Sequence, residues 1–166
     1  QIVISGNAKA IEWLQTHFNK DTFAVASAAS VKDSAGNPIP VGRVKFITLK
    51  VSAPFHCSMM KPAEDVMRAF LNDIEFKKAK TPVVQNYSAL PVTDGATLRE
   101  NIVRQISAPV RWIECVEKLD ELGCTRMAEL GSGKVLSGLS KKILGPEKMP
   151  TFNVTSIEEL KIVTGT

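Results

Sequence analysis

The sequence predicts an α/β protein in which helices are layered on a sheet with parallel strands. Three observations carry this. Strand-like and helical apolar patterns alternate from "TPVVQN" (81–86) to the last residues. The stretch "ELGSGKVLSGL", Glu129 to Leu139, passes from a strand through a glycine turn into a helix. The composition, 44% hydrophobic and 23% charged over 166 residues, is globular and enough for one domain, or one domain with a smaller lobe.

The elements follow in order. "QIVISG" reads as a short strand already under way at residue 1, so the chain is expected to begin inside a domain. Asn7 can cap the next helix, in which Ile11, Leu14 and Phe18 recur at helical spacing. "TFAVASAAS" (22–30) and "GRVKFITLKVS" (42–52) are β-rich, and the Asp, Gly, Asn and Pro residues of 31–41 make the segment between them a loop or hairpin tip. Residues 1–52 thus read as a small sheet with one helix. Pro54 stops the second run, since proline removes a backbone donor and disfavours helix in the residue before it.

Beyond it, Met60, Ala63, Met67, Phe70 and Leu71 share one face of a helix of about four turns. "TPVVQN" is a strand and "YSALPVTDG" (87–95) a loop. Leu98, Ile102 and Ile106 mark a helix that should break near Pro109. Val116, Leu119 and Leu122 continue helically to Gly123, a natural C-cap. "TRMAEL" (125–130) is a strand, 134–144 a helix and "TFNV" (151–154) a last strand. Ser156 and Glu159 form a capping-box pattern ahead of a final helix.

The bulk numbers exclude several classes. Twenty-one basic against 17 acidic residues leave a net charge of +4, which favours acidic or phosphate-bearing partners but is far below a nucleic-acid footprint. A 6% aromatic content with one Tyr supplies no base-stacking platform. The three cysteines, Cys57, Cys115 and Cys124, fit no zinc spacing, and with only His17 and His56 to add no metal site is expected. Odd, scattered cysteines suit a reducing compartment, the cytoplasm or an organelle matrix. No apolar run approaches the roughly 20 residues that span a bilayer, and the first residues carry no signal-peptide pattern.

Candidate chemistry centres on "VSAPFHCSMMKPAED" (51–65). His56 sits on a strand-to-helix loop, held by rigid elements on both sides, and imidazole titrates near neutral pH. That suits a general base as well as it suits a packed or surface histidine. Cys57 beside it invites a Cys–His pair, but adjacent side chains project in different directions. A G-x-S-x-G nucleophile elbow is absent: Ser132, Ser137 and Ser140 all lack its glycines. The turn 129–139 could hold an anion on helix amides, yet it lacks the G-x-G-x-x-G and Walker patterns and reads better as a tight turn. The histidine therefore has no visible nucleophile in this sequence.

Taken together, "QIVISG", "VSAPFHCSMMKPAED", "TPVVQN", "VRQISAPVRWIECV" and "ELGSGKVLSGLSKKI" resemble, in order and spacing over residues 1–145, the malonyl-CoA:acyl-carrier-protein transacylase family. The resemblance implies a fold in which a ferredoxin-like small subdomain is inserted in an α/β-hydrolase-like large one. Residues 1–52 would be an incomplete part of the small subdomain and 53–166 the C-terminal part of the large one. The family's serine elbow, its oxyanion-hole glutamine loop and its malonyl-clamping arginine would lie in an N-terminal half upstream of residue 1.

The resemblance further implies that His56 is the general base and that Gln105 marks the place where a backbone carbonyl orients its imidazole. Phe55 would wall the acyl pocket against an α-methyl group, or else anchor the loop as an ordinary core phenylalanine. Asn86 would brace the site. Lys61, Lys141 and Lys142 become candidates for docking acidic carrier protein or the coenzyme A phosphates, although each also reads as a solvated surface lysine. The implied activity moves malonyl from coenzyme A to acyl carrier protein in fatty-acid biosynthesis, with malonyl-CoA as substrate, no bound cofactor, no nucleic acid and no membrane. Within the enzyme class the alternative is an acyltransferase domain of a polyketide or fatty-acid megasynthase. Outside that family stand a non-catalytic carrier-protein-binding module and a thiol hydrolase built on Cys57 or Cys124.

Overall fold

The computed structural model describes residues 3–17 and 47–165. Phe18, the run 22–30, the loop 31–41 and the first residues of 42–52 lie outside the described residues. The first element is α1 (Ala8–His17). Asn7 starts it: its Oδ1 accepts the Lys9 amide at 2.9 Å and its carbonyl accepts from Ile11 at 3.0 Å. The strands expected at 1–6 and at 47–52 are not formed over their described parts. A strand requires a neighbouring backbone, and none pairs with these segments among the described residues.

After the loop at His56, a single 3₁₀ turn (Ser58–Met60) leads into α2 (Lys61–Leu71). Pro62 is tolerated in its first turn because those amides have no intrahelical acceptor. The buried side of α2 differs from the expected one. Leu71 is buried, but Phe70 is 68% exposed and Glu64 is fully buried. At about 100° per residue, Phe70 lies a quarter-turn away from Leu71, while Glu64, seven residues before Leu71, falls within the stripe.

Two-residue strands β1 (Val83–Val84) and β2 (Pro91–Val92) pair antiparallel, Val83 opposite Val92. β2 lies inside the segment expected to be loop, since two residues are too few for a period of two to be read. Helix α3 (Gly95–Arg104) opens on Asp94, whose carboxylate accepts from the Thr97 amide at 2.8 Å and its hydroxyl at 2.7 Å. It stops at Arg104, before Ile106, and buries Leu98, Asn101 and Val103. Helix α4 (Trp112–Glu121) ends on Gly123 at φ +79°, and the Cys124 amide returns to the Leu119 carbonyl at 3.1 Å, a Schellman closure.

β3 (Met127–Leu130), α5 (Val135–Leu144) and β4 (Thr151–Val154) form one β-α-β unit, with Met127 opposite Thr151 and Leu130 opposite Val154 in parallel register. The parallel expectation holds for this pair and fails for β1–β2. The last helix, α6 (Ile157–Thr164), carries the capping box: Ser156 Oγ accepts from Glu159 N at 3.2 Å, and Glu159 Oε2 accepts from Thr155 N at 2.6 Å.

The interior forms where α2 packs on α3, α4 on α5, and α5 on both parallel strands. Val103, Cys115, Val116 and Met149 are its most enclosed apolar side chains. No helix among the described residues is long and apolar enough to cross a membrane.

Candidate functional site

The His56 loop is tied down locally before it meets the rest of the fold. The Phe55 amide donates to Ala53 O at 2.9 Å, the Cys57 thiol to Pro54 O at 3.1 Å, and the Met60 amide to Cys57 O at 2.9 Å. Between these bonds His56 has φ +61°, the left-handed region that L-residues other than Gly, Asn and Asp rarely enter. Backbone strain of this kind persists only where the surroundings over-determine it, and it gathers at functional sites. Because Cys57 spends its hydrogen on the loop backbone, it is not paired with the imidazole.

His56 Nδ1 lies 3.0 Å from the backbone carbonyl of Gln105. A carbonyl only accepts, so this bond requires the proton on Nδ1 and leaves Nε2 of the neutral ring with a free lone pair. Helix chemistry explains why that carbonyl is available. Gln105 is the C-cap of α3, and the last carbonyls of a helix have no intrahelical donor. The carbonyl that meets the imidazole is thus supplied by a helix end, and it fixes the proton on Nδ1.

Beside this pair lies a charged cluster that the sequence reading left out. Glu64 has no exposed surface. Its Oε1 is paired with Lys61 and faces Arg68 Nη2 at 3.6 Å and Arg104 Nη1 at 3.8 Å, while its Oε2 accepts from Ser107 Oγ. The Lys61 and Ser107 bonds outweigh burial and hold the Glu64 carboxyl below the usual carboxylate range. Bonds from Arg68 and Arg104 bring Glu100 down to about 2. A carboxylate in an apolar register, four residues after Met60 and seven before Leu71, was the signal available for Glu64. Ser107 had none.

The other candidates are scattered. Phe55 adjoins His56 and is 44% exposed. Lys61 is committed to Glu64. Asn86 accepts the Arg111 amide on its carbonyl at 3.1 Å, and its Oδ1 lies 3.9 Å from Cys115 Sγ, so it braces the start of α4. Burial pushes the Cys115 thiol up, away from the thiolate. Lys141 and Lys142 occupy the last turn of α5, where the helix dipole also favours cations.

The glycine turn is already filled from within. Glu129 accepts from the Leu136 amide at 3.2 Å, the Ser137 amide at 2.9 Å and the Ser137 hydroxyl at 2.7 Å. Its carboxylate takes the place an anionic ligand would need at the start of α5, and the Ser137 bonds hold it below its ordinary range.

No protein-family model matches the chain. Among curated proteins, the malonyl CoA-acyl carrier protein transacylase of Bacillus subtilis (strain 168) is 36% identical over 166 residues, 100% of this chain and 45% of that protein. Among solved structures, an acyl-carrier-protein S-malonyltransferase from Burkholderia pseudomallei 1710b matches with TM-score 0.63 and 40% identity, over 71% of this chain and 38% of its own. A malonyl-transacylase in complex with its holo type II PKS acyl-carrier protein matches with TM-score 0.62 and 35% identity, over 71% of this chain and 38% of its own. The chain spans less than half the length of the curated relative it matches end to end.

Proposed function

We propose that this chain, a homologue of malonyl CoA-acyl carrier protein transacylases, is the C-terminal part of such an enzyme, one that moves malonyl from coenzyme A to acyl carrier protein through a serine ester. The observation that carries the reading is the His56–Gln105 contact, a base held in one tautomer by a main-chain carbonyl. In this reading residues 1–52 belong to a ferredoxin-like small subdomain and 53–166 to an α/β-hydrolase-like large one. The nucleophilic serine belongs to residues N-terminal to this sequence. Two-stranded sheets are marginal alone, and Val66 and Phe70 of α2 and Leu130 of β3 stand largely exposed, which suits surfaces that the remaining residues cover.

The chemistry follows from the free Nε2 lone pair. His56 takes the serine proton as the hydroxyl oxygen attacks the malonyl thioester carbonyl, and Gln105 O stabilises the imidazolium through Nδ1–H. The tetrahedral intermediate collapses with loss of the coenzyme A sulfur, which receives the proton from Nε2. The phosphopantetheine thiol of acyl carrier protein then gives its proton to Nε2, attacks the serine ester, and leaves with the malonyl group as the serine regains its hydrogen. No cofactor is needed for these steps. Lys141 and Lys142 are proposed to meet the acidic carrier protein or the coenzyme A phosphates, and Asn86 to support the site from α4. The complex seen for the related malonyl-transacylase supports carrier protein as the partner. Three free thiols among the described residues suit a reducing compartment, the cytoplasm or an organelle matrix.

Competence is the test. Residues 1–166 alone should take up no malonyl from malonyl-CoA. Acylation should appear when the serine-bearing part is supplied, in one chain or as a second fragment, and should map to that part. Intact-mass spectrometry after incubation reads both. A stoichiometric malonyl adduct on the isolated chain overturns the assignment of the nucleophile.

Selectivity is a second expected result. If the Phe55 ring walls the acyl pocket, Phe55→Ser makes room for the α-methyl group of methylmalonyl-CoA. One methyl-sized change in a pocket is worth about 1–3 kcal/mol, so the ratio of the two kcat/KM values should shift by roughly 10–200-fold. A competition assay with both thioesters reads that ratio. Equal loss with both would make Phe55 a loop anchor.

A further inference from the structure

We propose that Glu64 is a positioning residue for the His56 base, acting through Ser107 to aim the Gln105 carbonyl at the imidazole. The proposal rests on the reading of His56 as the base. Two segments meet at the site: the His56 loop running into α2, and the corner where α3 ends. They are joined by His56 Nδ1 to Gln105 O at 3.0 Å and by Ser107 Oγ to Glu64 Oε2. Glu64 follows His56 by eight residues and Ser107 follows Gln105 by two, so the second bond braces the same corner as the first.

Gln105 is a C-cap, so its carbonyl has no helical donor, and the peptide group that carries it is held on the helix side by a long bond, the Ile106 amide to Val103 O at 3.3 Å. Ser107 is the next polar side chain along, and its hydroxyl is spent on a carboxylate that cannot swing away. Glu64 is held at Oε1 by Lys61, with Arg68 and Arg104 on the same side, and its side chain is fully buried. Arg68 and Arg104 are themselves fixed by Glu100, Arg68 Nη2 at 3.0 Å and Arg104 Nε at 2.7 Å from Oε1. An exposed ion pair could hold α2 to α3 as well, but only an enclosed carboxylate with one oxygen on Ser107 transmits that fixity to the corner. Base geometry is sensitive to it, because a misplacement of about 1 Å can cost about 10²-fold in rate.

The experiment is single-turnover acylation by malonyl-CoA in the enzyme with its serine-bearing part present. Glu64→Ala should lower the rate by up to about 10²-fold and leave the KM for malonyl-CoA within about twofold, the pattern of a lost transition-state interaction. Ser107→Ala should fall in the same direction by less, and the double variant should be no slower than Glu64→Ala, because both remove one linkage. Glu64→Gln should recover most of the rate, since an amide still bonds the Ser107 hydroxyl, while remaining less stable than wild type because the cations lose their counter-charge. The ¹⁵N imidazole signals of His56 should show the Nδ1–H tautomer in wild type and Glu64→Gln and lose it in Glu64→Ala.

A folded Glu64→Ala with wild-type rate overturns the proposal, as does a rise in KM alone or a Glu64→Gln that loses rate as fully as alanine. Should Glu64→Ala fail to fold, Ser107→Ala decides by the same rate and the same signal. His56→Ala is the control that separates the two readings. A wild-type rate there overturns the base assignment and this inference with it, whereas a large loss there beside a silent Glu64→Ala overturns this inference alone.

Discussion

On the proposed reading of His56 as the base, His56→Ala should lower the rate of serine acylation by roughly 10²–10⁴-fold in the enzyme with its serine-bearing part present, the usual worth of a positioned general base. The backbone at His56 demands a companion variant. With φ at +61°, alanine inherits the strain, whereas asparagine enters the left-handed region more readily. His56→Asn should therefore keep the loop and lose the rate to a similar extent. Gln105→Ala should cost much less, because the group that meets Nδ1 is the main-chain carbonyl, which the substitution retains. Stopped-flow release of coenzyme A measures all three. Wild-type turnover in His56→Asn would return the histidine to a structural role.

Gly95→Ala should destabilise the protein by about 3 kcal/mol, at the upper end of overpacking costs. A Cβ built there would lie 1.9 Å from the carbonyl oxygen of Phe76 and 3.0 Å from that of Lys77. Both are backbone atoms, so no side chain can rotate away. Either the 76–77 segment or the first turn of α3 must move, and α3 carries Leu98 and Val103 in the core and Gln105 at its end. Against a typical total of about 5–15 kcal/mol, that loss should be plain in the midpoint of chemical denaturation. Gly138→Ala in α5 is the contrast. A Cβ there meets nothing within 4 Å, and helix propensity favours it by about 0.5–1 kcal/mol. Equal midpoints for the two variants would contradict the close approach at Gly95.

Much of the secondary structure was legible because its causes are local. Asn7, Ser156 and the Gly123 turn each act within about one helical turn, through bonds between residues no more than five apart. Helices α1, α2, α5 and α6 accordingly start where sequence patterns place them, within the usual fraying of a residue or two. Phe70 falls on the apolar face by spacing yet stands exposed, because apolar spacing alone cannot say where the centre of the buried arc lies. Glu64 gives no local sign of its burial beyond its register, because a carboxylate is rarely fully buried unless paired, and its partner Ser107 is 43 residues away.

Local sequence sets the helix caps at Asn7, Ser156 and Gly123, the strand–helix–strand order from Met127 to Val154, and the position of His56 on a loop between a proline stop and a helix. Tertiary structure alone decided which strands find partners, that the end of α3 stops short of Ile106, and that the carbonyl of Gln105, 49 residues from His56, accepts from its imidazole. It alone decided as well that glycine at 95 is obligatory for space rather than for conformation. The physical reason is one of range. Caps, turns and periodicity arise from interactions within a few residues, whereas burial and orientation are set by whichever distant segment the fold brings alongside.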